Sequence, residues 1–165
     1  MISIRKEDFS AYSHIYSSFS LPCRETAEII GGKNVIHTHL LDQILHRMSD
    51  ITDPSLWTVH DPADEKTLFL MRSAFVSRFL ENRLVTDTTE VIRRFQEIQR
   101  MAKDSDGNCL FVANGIVVKM FELFRITHGF RESPGKILEM AKLDRAFGGP
   151  LERYQWGDGT YTKLI

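Results

Sequence analysis

Apolar and polar positions alternate through Ile2-Ser3-Ile4-Arg5, and again through part of His14-Ile15-Tyr16-Ser17-Ser18-Phe19-Ser20-Leu21. The second stretch is rich in β-branched, aromatic and hydroxyl residues, so two short strands are expected near the start of the chain. Pro22 breaks this pattern and Gly31-Gly32 breaks it again. From the N-cap residue Asn34 the period changes: Ile36, Leu40, Leu41, Ile44, Leu45 and Met48 recur at helical spacing, which predicts an amphipathic helix. Asp61-Pro62 reads as an N-cap followed by proline at the first helical position, opening a helix with Leu68, Met71, Phe75 and Phe79 along one face. Asp87 and Glu90 suggest a capping box for the next helix, with Val91, Ile92, Phe95 and Ile98 inward. The run from Leu110 to Phe124 is nearly all apolar and predicts the most buried helix, with Cys109 at its start. Ser133-Pro134 begins a last helix carrying Ile137, Leu138, Ala141 and Leu143, ended by Gly148-Gly149-Pro150. Trp156-Gly157-Asp158-Gly159 reads as a turn.

No repeat, low-complexity run or interdomain linker interrupts these elements, and 165 residues with 42% hydrophobic content suit one core. The expectation is a single α+β domain over residues 1–165, rich in helix and with a small sheet. Charge adds an exclusion. Lysine plus arginine (21) nearly cancels aspartate plus glutamate (22), so no uniform field is available to hold a polyanion or an anionic membrane. Nucleic acid is not the expected partner. Met1 to Asp8 lacks the apolar core of a signal peptide, and no stretch approaches the roughly 18 apolar residues of a membrane span, so a soluble, non-membrane protein is expected. Cys23 and Cys109 make no disulfide framework; reduced thiols and a cytoplasmic setting are the expectation.

The chemistry concentrates at Asp106-Gly107-Asn108-Cys109-Leu110-Phe111. A thiol becomes a good nucleophile when its thiolate is stabilised, and a helix N-terminus offers partial positive charge and unpaired N–H groups. Gly107 permits a tight loop that could aim N–H groups at the oxyanion of a tetrahedral intermediate, and Asp106 or Asn108 could fix that loop. The same residue types also describe a buried structural cysteine beside an ordinary helix cap. A calcium loop shares the alternation of Asp104, Asp106 and Asn108, but its sixth position would be Cys109 rather than glycine and its twelfth Gly115 rather than glutamate.

Those six residues resemble the nucleophile motif of the ovarian-tumour (OTU) family of cysteine deubiquitinases, and Tyr154-Gln155-Trp156-Gly157-Asp158 resembles the family's downstream Trp-Gly segment. The resemblance covers about Asp104 to Ile165. It implies a papain-like fold, a thiol-dependent hydrolase of ubiquitin or ubiquitin-like conjugates, Cys109 as nucleophile, Asp106 as the motif aspartate that organises the loop or polarises the histidine, and neither metal nor organic cofactor. The family's general-base histidine usually follows the cysteine, whereas only His128 lies beyond Cys109 here. A helix from Leu110 to Phe124 would carry the chain roughly 20 Å away before His128 is reached, too far for a base. A circular permutation that moves the closing strands to the N-terminus is the simplest repair. Ser13-His14-Ile15-Tyr16-Ser17-Ser18 resembles the family's histidine strand, making His14 the first candidate for the base and His60 the second.

His37 and His39 form a His-x-His pair that would share a face only in a strand, and His46 falls in the amphipathic helix. Two non-enzymatic readings stand beside the hydrolase: a catalytically silent ubiquitin-binding module, and a helical interaction adaptor with accidental motif matches. A permuted OTU domain would suit a bacterial effector working in a host cytosol.

Overall fold

The computed structural model describes residues 9–31, 34–51, 65–143, 154–157 and 160–163. In chain order its elements are β1 (Tyr12–Ser17), α1 (Leu21–Gly31), β2 (Val35–His37), α2 (Met48–Ile51), α3 (Glu65–Leu80), α4 (Thr88–Asp104), β3 (Asn108–Val112), α5 (Gly115–Ile126), α6 (Pro134–Leu143), β4 (Tyr154–Gly157) and β5 (Thr160–Lys163). The mixture of helices with a small sheet is the expected α+β class. The chain divides into two compact units, Met1–Gln43 with Arg94–Asn114 and Ile44–Arg93 with Gly115–Ile165, the division falling within α4. Among the described residues no helix is long and apolar enough to cross a membrane. The expected strand at Ile2 to Arg5, the helix start at Asp61-Pro62, the stop at Gly148-Gly149-Pro150 and His60 lie outside the described residues.

In the first unit β1 is the central strand of a parallel sheet of order β2-β1-β3. Alternation along β1 sends Ile15 and Ser17 into the core, while His14 and Tyr16 stay half-buried on the opposite face. α1 covers the first of these faces: a Cβ on Gly31 would lie 2.7 Å from Ile15 Cδ1, so the helix end rests directly on the sheet. The sequence reading assigns no helix here because Pro22 interrupts the strand pattern. Pro22 instead occupies the first turn of α1, where a missing N–H costs no helical bond.

The amphipathic helix expected from Ile36 to Met48 is not formed. Val35 and Ile36 pair with Ile15 and Tyr16 in β2, a 3-10 turn follows over His39–Leu41, and the chain reaches α2 only at Met48. The Thr38 hydroxyl accepts the Leu40 N–H at 3.3 Å and Asp42 accepts the Phe19 N–H at 3.2 Å. Pairing with β1 and these side-chain bonds override the helical spacing.

The second expected helix to fail is Leu110 to Phe124. Its first part is β3, and α5 begins only at Gly115. From Cys109 to Val112 every residue of β3 is half-buried on either face, and a strand without a polar face carries the same continuous apolar run as a helix. Asn114-Gly115 marks the break. The tail is corrected too: Trp156 and Gly157, expected in a turn, lie in β4, which pairs antiparallel with β5.

In the second unit Phe75 and Phe79 of the expected α3 face are buried and Met71 is half-buried, while Val76, outside that face, is buried as well. α5 buries Val117, Met120, Phe121, Leu123 and Phe124, and α6 buries Ile137. After α5, His128, Gly129 and Phe130 adopt left-handed φ values of 52°, 83° and 59°. The Gly129 N–H donates to Phe124 O at 2.7 Å and closes the helix end.

At the start of α4, Asp87 supplies its half of the expected capping box. Asp87 Oδ1 accepts from Thr89 N–H at 2.8 Å and Glu90 N–H at 3.2 Å, while Asn82 Nδ2 donates to its Oδ2 at 3.0 Å. These bonds, that of Asn82 foremost, hold the Asp87 carboxyl below its ordinary pKa. A carboxyl more acidic in the folded than in the unfolded chain stabilises above the ordinary aspartate range and loses that contribution as pH falls through the lowered value. Asp87→Ala is therefore expected to lower the thermal unfolding midpoint at neutral pH, with the deficit shrinking in strong acid, as circular dichroism at the two pH values would show.

Candidate active site

Cys109 and His14 are opposite one another in the β1–β3 register. Partners in a parallel ladder project from the same face, and strand spacing sets their backbones about 4.8 Å apart. Two residues further along, Tyr16 and Phe111 are again partners, and their rings stack with centroids 5.1 Å apart. The His14 ring stacks on Tyr16 at 6.1 Å. One face of the sheet thus carries a thiol beside an imidazole, with an aromatic floor next to both. Cys109, His14 and Tyr16 are all half-buried, so reagents can reach them. Burial pushes the Tyr16 phenol above its ordinary pKa, and negative charge on Cys109 pushes in the same direction.

The register slips between Tyr12 and His14: Tyr12 pairs with Asn108 and His14 with Cys109, leaving Ser13 as the extra residue of a β-bulge. The Ser13 hydroxyl donates to Asn108 O at 3.1 Å and lies 3.0 Å from His14 Nδ1. Ser105 Oγ lies 3.3 Å from the same nitrogen and accepts the Gly107 N–H at 3.3 Å. Gly107 is required for this closeness, because a Cβ there would stand 2.4 Å from Ser13 Oγ and 2.9 Å from Ser13 Cβ. The glycine of the Asp-Gly-Asn-Cys segment therefore makes room for the bulged serine.

The sequence places Cys109 at a helix N-terminus; the structure places it within β3. Its Sγ–H points to Gly107 O at 4.0 Å, a weak contact, and the partial charge of a helix start is not at hand to stabilise the thiolate. No hydrogen bond joins the Cys109 thiol to the His14 ring, whose Nδ1 contacts are with Ser13 and Ser105. Asp106 is exposed, and among the described residues it makes no side-chain bond to His14; Ser13 and Ser105 occupy the position beside Nδ1 instead. Sequence reasoning missed both serines. Ser13 precedes the candidate histidine and Ser105 precedes the motif, but neither residue type signals a role without the bulge that brings them together.

The other described histidines lie elsewhere. His37 and His39 both contact the Phe19 ring, at 5.9 and 4.3 Å, and His39 Nδ1 meets Asp42 Oδ2 at 2.6 Å. His37 ends β2 and His39 starts the 3-10 turn, so they do not sit on a helix. His46 falls in the irregular segment before α2, its ring edge-on to Phe75 at 5.1 Å. His128 is exposed just beyond α5. Among the described residues no group of three or more histidine, cysteine or acidic side chains could hold a metal ion. No family model, curated protein or solved structure matches the chain.

Proposed function

We propose that this chain is a thiol hydrolase in which Cys109 is the nucleophile and His14 the general base. The observation that carries the reading is the pairing of these two residues, far apart in the chain, across adjacent strands. His14 takes the proton of the Cys109 thiol, and the thiolate attacks the substrate carbonyl carbon. As the C–N bond breaks, His14 returns the proton to the leaving amine and a thioester remains on Cys109. Water, deprotonated by His14, then releases the carboxylate and restores the thiol.

The substrate class rests on a different observation: Asp106-Gly107-Asn108-Cys109-Leu110-Phe111 resembles the OTU nucleophile motif, which points to conjugates of ubiquitin or a ubiquitin-like protein. On this reading the fold is a permuted relative of OTU and other papain-like domains, with β1 supplying the histidine ahead of the cysteine. A permuted bacterial effector working in the cytosol of a host cell would have this character. The position of Cys109 within a strand favours a second reading, a ubiquitin-binding module that has lost its chemistry, because the thiolate lacks the support of a helix N-terminus.

The test is covalent capture by ubiquitin carrying a C-terminal electrophile, read by intact mass under reducing conditions. A single adduct is expected for the natural chain and for Cys23→Ala, whose thiol is buried in α1, and none for Cys109→Ala. Folded natural protein that captures neither ubiquitin nor ubiquitin-like probes would overturn the hydrolase and favour the binding module.

A further inference from the structure

We infer that Ser13 is the positioning residue of this site and that it does so as a hydrogen-bond acceptor, fixing His14 with its proton on Nδ1 and its basic lone pair on Nε2. The inference rests on the hydrolase reading for its catalytic meaning, but the placement of the proton stands on geometry alone. A serine hydroxyl has one proton to give. Ser13 directs it to Asn108 O, 3.1 Å away, an acceptor that has no proton to offer in return. With that proton committed, the 3.0 Å contact between Ser13 Oγ and His14 Nδ1 is a hydrogen bond only when the ring nitrogen is the donor. With Nδ1 carrying hydrogen, Nε2 of the neutral imidazole is the acceptor, the state needed to take a proton from a thiol.

Ser105 alone would not fix this choice. Its oxygen accepts the Gly107 N–H at 3.3 Å, which leaves its own proton free either to point at Nδ1 or to turn away while the oxygen shares the Nδ1 hydrogen. Ser13 is therefore the member whose proton is committed. Two further features serve this arrangement. The β-bulge makes Ser13 an extra residue on β1, so its side chain is released from the regular pleat and reaches across to β3. Gly107 leaves the space that the hydroxyl enters, since any Cβ there would lie 2.4 Å from Ser13 Oγ. The sequence feature that resembles a nucleophile motif is thus tied, through Gly107 and Asn108, to the group that sets the base.

A carboxylate in the same place would fix the same tautomer and also stabilise the imidazolium. Serine supplies the orientation without the charge. The loss on removing Ser13 is therefore expected to be smaller than the loss on removing His14.

The experiment is a long-range proton–nitrogen NMR spectrum of the full chain with 15N-labelled histidine, recorded on the neutral side of the histidine titration. His14 is assigned by its disappearance in His14→Gln. The natural chain is expected to show a protonated, pyrrole-type Nδ1 and a pyridine-type Nε2. Ser105→Ala should keep that pattern, and Ser13→Ala should move it toward the Nε2-protonated form that free histidine prefers in water. An Nε2-protonated ring in the natural chain, or an unchanged pattern in Ser13→Ala, overturns the assignment. Probe capture adds the kinetic arm: Ser13→Ala should slow the chemical step by about tenfold while leaving probe affinity within about twofold. If the tautomer behaves as expected and the natural chain captures no probe, the hydrolase reading fails and the proton assignment stands.

Discussion

Phe79→Ala is expected to cost about 3–5 kcal/mol of stability, a large share of the roughly 5–15 kcal/mol that a domain of ordinary size has to lose. The Phe79 ring is fully buried on α3, at 0% exposure, and its centroid lies 5.0 Å from that of Phe130. Phe130 also packs edge-on against Phe124 of α5 at 5.6 Å. This second contact raises the stakes. Phe130 holds a left-handed φ of 59°, a conformation that a bulky side chain resists and that persists only when surrounding contacts enforce it. Removing Phe79 therefore empties a ring-sized volume and also removes a ring that packs against Phe130. Urea unfolding of the full chain, followed by far-ultraviolet circular dichroism, would measure the loss. Phe79→Leu, which refills most of the space, should recover more than half of it. A deficit below about 1 kcal/mol for the alanine variant would show that the ring is not part of a tightly packed core.

The elements that the sequence makes legible are those whose local signals agree with their packing. α4 and α6 each combine a start signal with buried apolar positions, Val91, Phe95 and Ile98 in the first and Ile137 in the second, and α3 buries Phe75 and Phe79. Where the structure departs from expectation, pairing over long sequence distance decides the outcome. Ile36 to Met48 has helical spacing, yet Val35 and Ile36 gain a partner strand that periodicity cannot see. Leu110 to Val112 is apolar at every position and half-buried on both faces of the strand, a run that a buried helix shares. α1 was hidden by Pro22, which reads as a stop after a strand and as a start before a helix.

The candidate site divides in the same way. Cys109 stands out through the residues around it, and His14 through its neighbours in β1, but their pairing is a property of the sheet register. Ser13 is the least legible member. Its role depends on a one-residue slip in pairing, and the nearest local trace of that slip is Gly107, on a different strand's approach. Asp106 shows the opposite failure: a charged residue in the right motif position is turned to solvent, and hydroxyl groups take the place expected for it beside the histidine.

His14→Ala is expected to slow thioester formation at Cys109 by about 10²- to 10⁴-fold, the usual contribution of a positioned base. The variant should fold normally, because the His14 ring is only half-buried and its ring contact is with Tyr16 at 6.1 Å. Binding should also survive, so ubiquitin affinity measured in Cys109→Ala and in the double variant with His14→Ala should agree within about twofold. A slow reaction with intact binding separates loss of proton transfer from loss of the substrate surface. Added imidazole provides the sharper test. The cavity left by alanine lies beside Cys109 and against the Tyr16 ring, and an exogenous imidazole entering it should restore part of the rate in a saturable manner. No such rescue is expected in Cys109→Ala, where the nucleophile itself is gone. If His14→Ala reacts at the natural rate, the pairing in the sheet is structural and the base must be sought elsewhere, with His60 next in line. A base on β1 requires the rate to follow His14 even though the two residues are joined by nothing in the chain between them except the fold.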